Sequence, residues 1–284
     1  MGLDATVMCN CFRDGKTKPP PFPSEWLEVD NEGYINLKKE HNSGENWAKH
    51  YEWGQSCCGH KGMDFARERI SNWTGYRQFQ EALGEVGWQH FRVLKEQLPN
   101  ANGGLTPSAA SAKAIEELDF FASAGEIGVK TFLIDIASGK GLYEYVAAYG
   151  GVFILSRSYE VNAGLSEFEF VAVDATSGED LFRATRFRQF HKSGKKVDGH
   201  CDGIAWENLD TGDVYDSGIA IRGQQIPWED GSWEKPNGQC RFEYPSEFQV
   251  EQRPRLVSDF DDIVKALRTV FEASVETGNP VRWC

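Results

Sequence analysis

Two clusters of soft ligands carry the chemistry of this chain: Cys9-Asn10-Cys11 near the start, and Cys57-Cys58-Gly59-His60 further on. Cys9, Cys11, Cys58 and His60 together offer thiolates and an imidazole to a single tetrahedral ion. Zinc is the ion that favours such donors, and four protein ligands leave no position open to substrate, so the site they imply is structural. The C-x-C and C-x-H spacings are tighter than the C-x₂-C pairs of the strongest zinc motifs. The competing reading is a set of buried free thiols. His41 or His50 could replace one ligand. Beyond this set, the sequence names no reaction.

Other chemical patterns fail. The chain holds neither G-x-S-x-G nor H-E-x-x-H. Ser138-Gly139-Lys140-Gly141 is a fragment of a phosphate loop that lacks the first glycine and the final Ser or Thr, and it reads as a surface turn. The carboxylates of Asp259-Phe260-Asp261-Asp262 are explained by helix capping and the helix dipole. A second thiol and imidazole group, His191, His200, Cys201, Asp202 and Cys240, fits no metal template. Arg183, Arg186, Arg188, His191, Lys192, Lys195 and Lys196 fall within 14 residues of an acidic chain. They read either as an anion site or acidic-partner contact, or as an exposed strand face and solvated loop.

The composition bounds the rest. At 284 residues, 40% hydrophobic and 13% aromatic, the chain can build one large domain or two intimate ones. A net charge of −13 speaks against nucleic-acid and anionic-membrane binding and leaves room for a basic protein partner. Seven cysteines, two of them adjacent, argue against a disulfide framework and for a reducing, cytoplasmic compartment. No apolar run approaches the roughly 20 residues of a membrane span. The N-terminus lacks the regions of a signal peptide, although Gly2 and Thr6 match a loose myristoylation pattern.

These residues need elements to position them. Residues 3–12 read as a strand, which would put Cys9 and Cys11 on one face. The strand should end at Asp14-Gly15, and Pro19-Pro20-Pro21-Phe22-Pro23 then runs as a stiff arm, an SH3-type ligand or a packed connection. Residues 24–56 read as irregular structure with short strands. From about 63 to 83, Ala66, Ile70, Trp73, Tyr76, Phe79 and Leu83 recur at helical steps, and Trp88, Phe91, Leu94 and Leu98 follow suit. Thr106 and Pro107 open a third helix with a stripe of Ala112, Ile115, Leu118 and Phe121.

From about 129 the pattern turns to strands: Lys130–Asp135, Gly151–Ser156, Glu167–Val173, Leu181–Phe190, Gly203–Asn208 and Val214–Arg222. Hairpin turns fall at Thr176-Ser177-Gly178-Glu179 and Asp210-Thr211-Gly212-Asp213. Residues 223–240 read as loop. A final helix opens at Ser258, carries Phe260, Ile263, Val264, Leu267, Val270 and Phe271, and closes at Gly278-Asn279-Pro280. The fold class is α+β, a helical block and a C-terminal helix packed on a largely antiparallel sheet. The expected division is 1–128, with the metal site and helices, and 129–284, with the sheet and last helix, if the chain is not one continuous domain.

Arg69 and Asn72, three apart on the first expected helix, could face the same way, and Asn72 or Glu68 could accept the second N–H of a metal-bound imidazole. The opening Met1-Gly2-Leu3-Asp4-Ala5-Thr6-Val7, then Cys9-x-Cys11, the proline run, Cys58-x-His60 and Arg69-Ile70-x-Asn72 resemble an uncharacterised family of bacterial proteins. The likeness covers roughly the first 75 residues and departs from the family at Cys57 and between His60 and Arg69. It implies a bacterial, cytoplasmic setting and a site in the first segment, and says nothing of substrate. Two functions are expected from the residues. One is a non-enzymatic binding protein with a structural zinc, such as an immunity protein that sequesters a toxin. The other is a metal-dependent hydrolase in which water takes the place of one ligand.

Overall fold

Leu3, Ala5 and Val7 are fully buried, and Thr6 between them is nearly so, which marks the first strand, β1 (Gly2–Met8), as interior to its sheet. The computed structural model describes residues 2–155, 160–199, 202–235 and 237–284. A short ribbon, β2 (Leu27–Val29) and β3 (Ile35–Leu37), follows the proline arm. The segment expected to be irregular then forms a helix, α1 (Gly44–Ser56), whose N-cap Ser43 accepts the Asn46 N–H.

Residues 64–72 form a strand, β4 (Asp64–Asn72), where the sequence pattern gave the start of a helix. The reason is an ambiguity of period. Ala66 and Ile70 stand four apart, which is one helical turn and also two full strand repeats. Backbone pairing decides: β4 runs antiparallel to β1, with Gly2 opposite Asn72 and Val7 opposite Ala66. The helix α2 (Trp73–Val86) begins only when the Asn72 side chain caps it by accepting the Gly75 N–H. Its buried stripe is Tyr76, Phe79, Ala82 and Leu83.

Next come α3 (Arg92–Gln97), β5 (Leu105–Thr106) and α4 (Ser108–Ala122). Thr106 is a strand residue, Pro107 is the N-cap of α4, and the inner face of α4 holds Ser111, Ala114, Leu118 and Phe121, with Ala112 outside. Glu117 is buried as well. Its carboxylate accepts the N–H groups of Val93 and Leu94, capping α3 from its neighbour.

Residues 129–255 form one compact unit, and residues 1–128 with 256–284 form the other. The strands that follow α4 are β6 (Glu126–Asp135), β7 (Gly141–Glu144), β8 (Val152–Leu155), β9 (Val161–Leu165), β10 (Phe170–Asp174), β11 (Asp180–Ala184), β12 (Arg186–His191), β13 (Ile204–Asn208), β14 (Val214–Tyr215), β15 (Gln225–Ile226), β16 (Arg241–Phe242) and β17 (Glu247–Leu256). They make a sheet ordered β14-β13-β12-β17-β6-β7, a second ordered β11-β10-β9-β8, and the ribbon β15-β16. Both expected hairpins are present, β10–β11 and β13–β14. The expected strand Leu181–Phe190 is divided at Thr185, so that β11 and β12 serve different sheets. Of the expected strand Val214–Arg222, only its first two residues are strand. Ser156 and Pro236, within an expected strand and loop, lie outside the described residues. Phe170, Phe187 and Phe248 stack in series through this core, at 4.6 and 4.9 Å between ring centroids.

The chain then returns to the first unit with α5 (Asp261–Thr277) and β18 (Val281–Trp283). The C-terminal helix, expected with residues 129–284, thus belongs with the N-terminal elements. Phe260, Ile263, Val264, Leu267, Val270 and Phe271 are buried as the spacing predicted, against α4 and β4. Gly278 ends α5 in the left-handed conformation, φ 72°, which a side chain would strain. The sheet of this unit reads β4-β1-β18-β5, so early and late strands lie side by side at its centre. The observed class is α+β with largely antiparallel sheets.

Candidate metal centre

The ladder of β1 stops at Met8, opposite Asp64, and the Cys9 N–H then donates to the Met63 carbonyl at 2.8 Å. From Cys9 the chain turns back on itself: Asp14 donates to the Asn10 carbonyl at 2.9 Å, and Lys16 to the Cys11 carbonyl at 2.8 Å. Cys9 and Cys11 therefore do not converge along a strand face, as the extended reading had them; a turn after the strand folds them together. On the facing side, Cys57 is the C-cap of α1, and Cys58-Gly59-His60 leads into Gly62 and Met63. Both are left-handed, at φ 62° and 66°. Gly62 adopts that conformation freely, whereas Met63 is strained by about 1–2 kcal/mol. It is held because its side chain is buried beside Met8 and Cys9 while its carbonyl takes the Cys9 N–H.

The result brings together all four residues expected from the sequence. The ligand atoms of Cys9, Cys11, Cys58 and His60 lie within 4.8 Å of one another. The Cys9 and Cys58 sulfurs are 3.8 Å apart, and His60 Nδ1 stands 3.3 Å from Cys11 Sγ and 3.9 Å from Cys58 Sγ. A tetrahedral ion about 2.3 Å from each sulfur would separate them by about 3.8 Å. Nδ1 is the imidazole atom that faces the thiols. The ring itself packs on Phe65, 5.3 Å between centroids. These residues could hold a metal ion.

Burial pushes the Cys9 thiol up to about 12, and it raises Cys11 in the same direction. The Cys11 backbone N–H opposes this at Cys9 by bonding to its sulfur. Cys57, buried and outside the set, is pushed up to about 11, again by burial. Without an ion the Cys9 and Cys11 thiols stay protonated at neutral pH, so a cation bound to them must displace their protons.

The buttress behind the turn is visible only in three dimensions. Asn279, 2% exposed, donates to the Met8 carbonyl at 2.8 Å and to Asn10 Oδ1 at 3.0 Å, and accepts from Arg13 at 2.9 Å. Asn10 in turn donates to the Thr277 carbonyl at 2.6 Å. Gly33 seals the other side: a Cβ there, at φ 89°, would press on Asn279 and Met8 at 3.1 Å. In sequence Asn279 is merely part of a helix stop, and only its place in space gives it this role.

Other expectations resolve differently. Asn72 caps α2, Arg69 lies on β4 and grips both carboxylate oxygens of Asp4 at 3.1 Å, and Glu68 pairs in the ladder with Ala5. The shared helix face of Arg69 and Asn72 does not exist. His41 stacks on Trp26 at 4.2 Å, and His50 lies between Phe22 and Trp53; neither joins the cluster. Along the proline arm Pro19, Pro21 and Pro23 are exposed, and Phe22 packs on Trp26 and His50; just before it, the Lys18 N–H donates to the Cys57 carbonyl and its carbonyl accepts from the Trp53 indole. Of the second thiol group, His200 and Cys201 lie outside the described residues, and His191 bonds to Ser193. Cys240 lines a cavity of about 680 Å³ in the second unit, beside Trp228 and Tyr244.

Half of the cations in the basic stretch are paired: Arg183 with Glu169 and Asp180, Arg188 with Glu207 and Lys192 with Asp216. Ser138 and Gly139 form the β6–β7 turn by bonding to Asp135, which excludes a strand-to-helix phosphate loop. No helix among the described residues is long and apolar enough to cross a membrane. No family model, curated protein or solved structure matches the chain.

Proposed function

We propose that this chain is a non-enzymatic, cytoplasmic bacterial binding protein whose N-terminal segment is tied together by a structural zinc ion, and that it serves as an immunity protein neutralising a toxin or effector. The observation that carries the reading is the convergence of Cys9, Cys11, Cys58 and His60 within 4.8 Å, four donors of the kind zinc prefers. A site filled by four protein ligands has no place for a substrate, and the chain carries neither G-x-S-x-G nor H-E-x-x-H. The ion would have a mechanical task. Residues 8–63 have only a small core of their own, built of Met8, Cys9, Leu27, Ile35, Leu37, Trp53, Cys57 and Met63. Cys9 and Cys58 are separated by 49 positions. Closing a loop of that span is worth about 4 kcal/mol by analogy with a disulfide.

Elemental analysis of the purified protein tests this. About one zinc per chain is expected, with Cys11→Ser abolishing it and lowering the melting temperature. Metal-free protein of unchanged stability would end the metal reading. X-ray absorption showing an oxygen in the first coordination sphere would replace it with a metal-dependent hydrolase. The immunity role is tested by the neighbouring gene: co-expression should rescue cells from a toxin encoded beside it.

A further inference from the structure

Three of the four donors at the metal centre are thiols, and they are not equally placed. Cys9 is buried, whereas Cys11 and Cys58 are half-buried and reach solvent. The Cys9 and Cys58 sulfurs face each other at 3.8 Å across 49 positions of chain. An accessible thiol set against a second, sheltered one is the arrangement in which a first oxidation product meets a resolving partner.

Geometry chooses among the pairings. A Cys57–Cys58 bond would close a small ring through one peptide and distort it, and the Cys57 sulfur is turned away, to the Gly54 carbonyl at 3.9 Å. A Cys9–Cys11 bond would close a ring over Asn10 alone, whose side chain is fixed by the Thr277 carbonyl and by Asn279. The Cys11 sulfur is engaged by His60 Nδ1 at 3.3 Å, which makes it the poorer partner for either neighbour. Cys9 and Cys58 come from facing segments. Their bond asks only that the sulfurs close from 3.8 Å to about 2.05 Å.

We propose that Cys9 and Cys58 are an oxidative modification site, at which hydrogen peroxide makes a disulfide and ejects the bound ion. Only the ejection rests on the reading of the cluster as a zinc site. The Cys58 thiolate attacks one peroxide oxygen and the O–O bond breaks. Cys58 becomes a sulfenic acid, and the other oxygen leaves as hydroxide and takes up a proton. The Cys9 thiolate then attacks the Cys58 sulfur. The S–S bond forms, the S–O bond breaks, and a second hydroxide is protonated to water. Two thiolates are oxidised, one peroxide is reduced to two waters, and two protons are consumed. Cys11 and His60 alone then remain for an ion that takes four ligands. The disulfide spans the same 49 positions as the ion did, so the loop stays closed after the metal has gone.

The test treats full-length reduced protein, its zinc content measured beforehand, with a few-fold excess of hydrogen peroxide. Released zinc is read with a chromogenic chelator, and disulfides are mapped by mass spectrometry of non-reduced digests. Loss of about one zinc per chain is expected, in step with a Cys9–Cys58 crosslink that dithiothreitol reverses. The oxidised protein should melt above reduced protein stripped by a chelator. Cys57→Ser and Cys284→Ser should release zinc as the parent does, the first thiol being turned away and the second lying outside the cluster. Cys11→Ser, which keeps both partners, should still form the crosslink. The proposal is overturned if peroxide joins Cys9 to Cys11, Cys11 to Cys58 or Cys57 to Cys58 instead, or if Cys58 ends as a sulfinic acid without a crosslink. It is also overturned if the oxidised protein melts no higher than the stripped one. A parent that holds no zinc yet forms the Cys9–Cys58 bond would refute the zinc reading alone. A zinc-loaded parent that forms no such bond would refute the modification site alone.

Discussion

His50 shows how one buried side chain sets a pH dependence. Its Nε2 is buried with no hydrogen-bond partner among the described residues, and burial holds its pKa below the ordinary value of 6.5. The unfolded chain therefore binds a proton near pH 6.5 that the folded chain refuses. His50 opposes folding little above that pH, and stability is lost as pH falls from there toward the lower folded value. His50→Phe, which keeps a ring between Phe22 and Trp53, should flatten the slope of stability between about pH 7 and 5. Urea melts of both proteins at the two ends of that range measure it, and parallel curves would clear His50 of the effect. The Cys9, Cys11, Cys58 and His60 cluster was legible at this scale because soft donors are few and their spacing is their signal. Asn279, Asn10 and Arg13 were not, because amides and guanidinium groups are common and their meaning here depends on a contact across some 270 positions.

Among the elements, period and capping decided what could be read. The stripe of α5 is long enough to exclude other periods, and its stop is spelled by Gly278-Asn279-Pro280. The strand β4 was misread because four residues satisfy both periods, and α1 was missed because it buries one residue and offers no stripe at all. The strand β17 carries Pro254, a residue type ordinarily confined to sheet edges and bulges. The buttress also predicts how metal removal spreads. Asn10, Arg13 and Asn279 join the metal turn to the end of α5, so chelation should raise amide exchange at residues 9–20 and 57–63 and also at 277–281. Asn279→Ala should produce the same exchange pattern at 277–281 with zinc still bound, and cost about 2–3 kcal/mol from buried groups left unpaired. If chelation perturbs only the turn, the buttress does not transmit it.

For the molecule as a whole, two global properties yield predictions. A net charge of −13, with Arg183, Arg188 and Lys192 of the basic stretch paired to carboxylates, predicts no binding to duplex DNA at physiological salt; a mobility shift at micromolar protein would contradict it. The first unit is assembled from both ends of the sequence, and the Val257 N–H donates to the Gly125 carbonyl at 2.8 Å, which places the two cut ends close together. A chain that joins Gly128 to Leu256 through a short glycine-serine loop should melt cooperatively and bind one zinc. A molten spectrum would mean that residues 129–255 are needed for its folding. That the late helix belongs with the early strands was not legible, because sequence order suggests neighbours and only the pairing of β1 with β18 overrides it.

The same pairing bears on biosynthesis. When β1 is synthesised, its central neighbour β18 and the Asn279 that braces the ligand turn are more than 260 residues from being made. The ligands at 9–60 emerge early, but the framework that fixes their geometry arrives last. Zinc capture by an unfinished chain would be weak and reversible, and tight retention would begin only once residues 279–283 are in place. The ion would then act as a late checkpoint on synthesis, held firmly only by chains whose two ends have met.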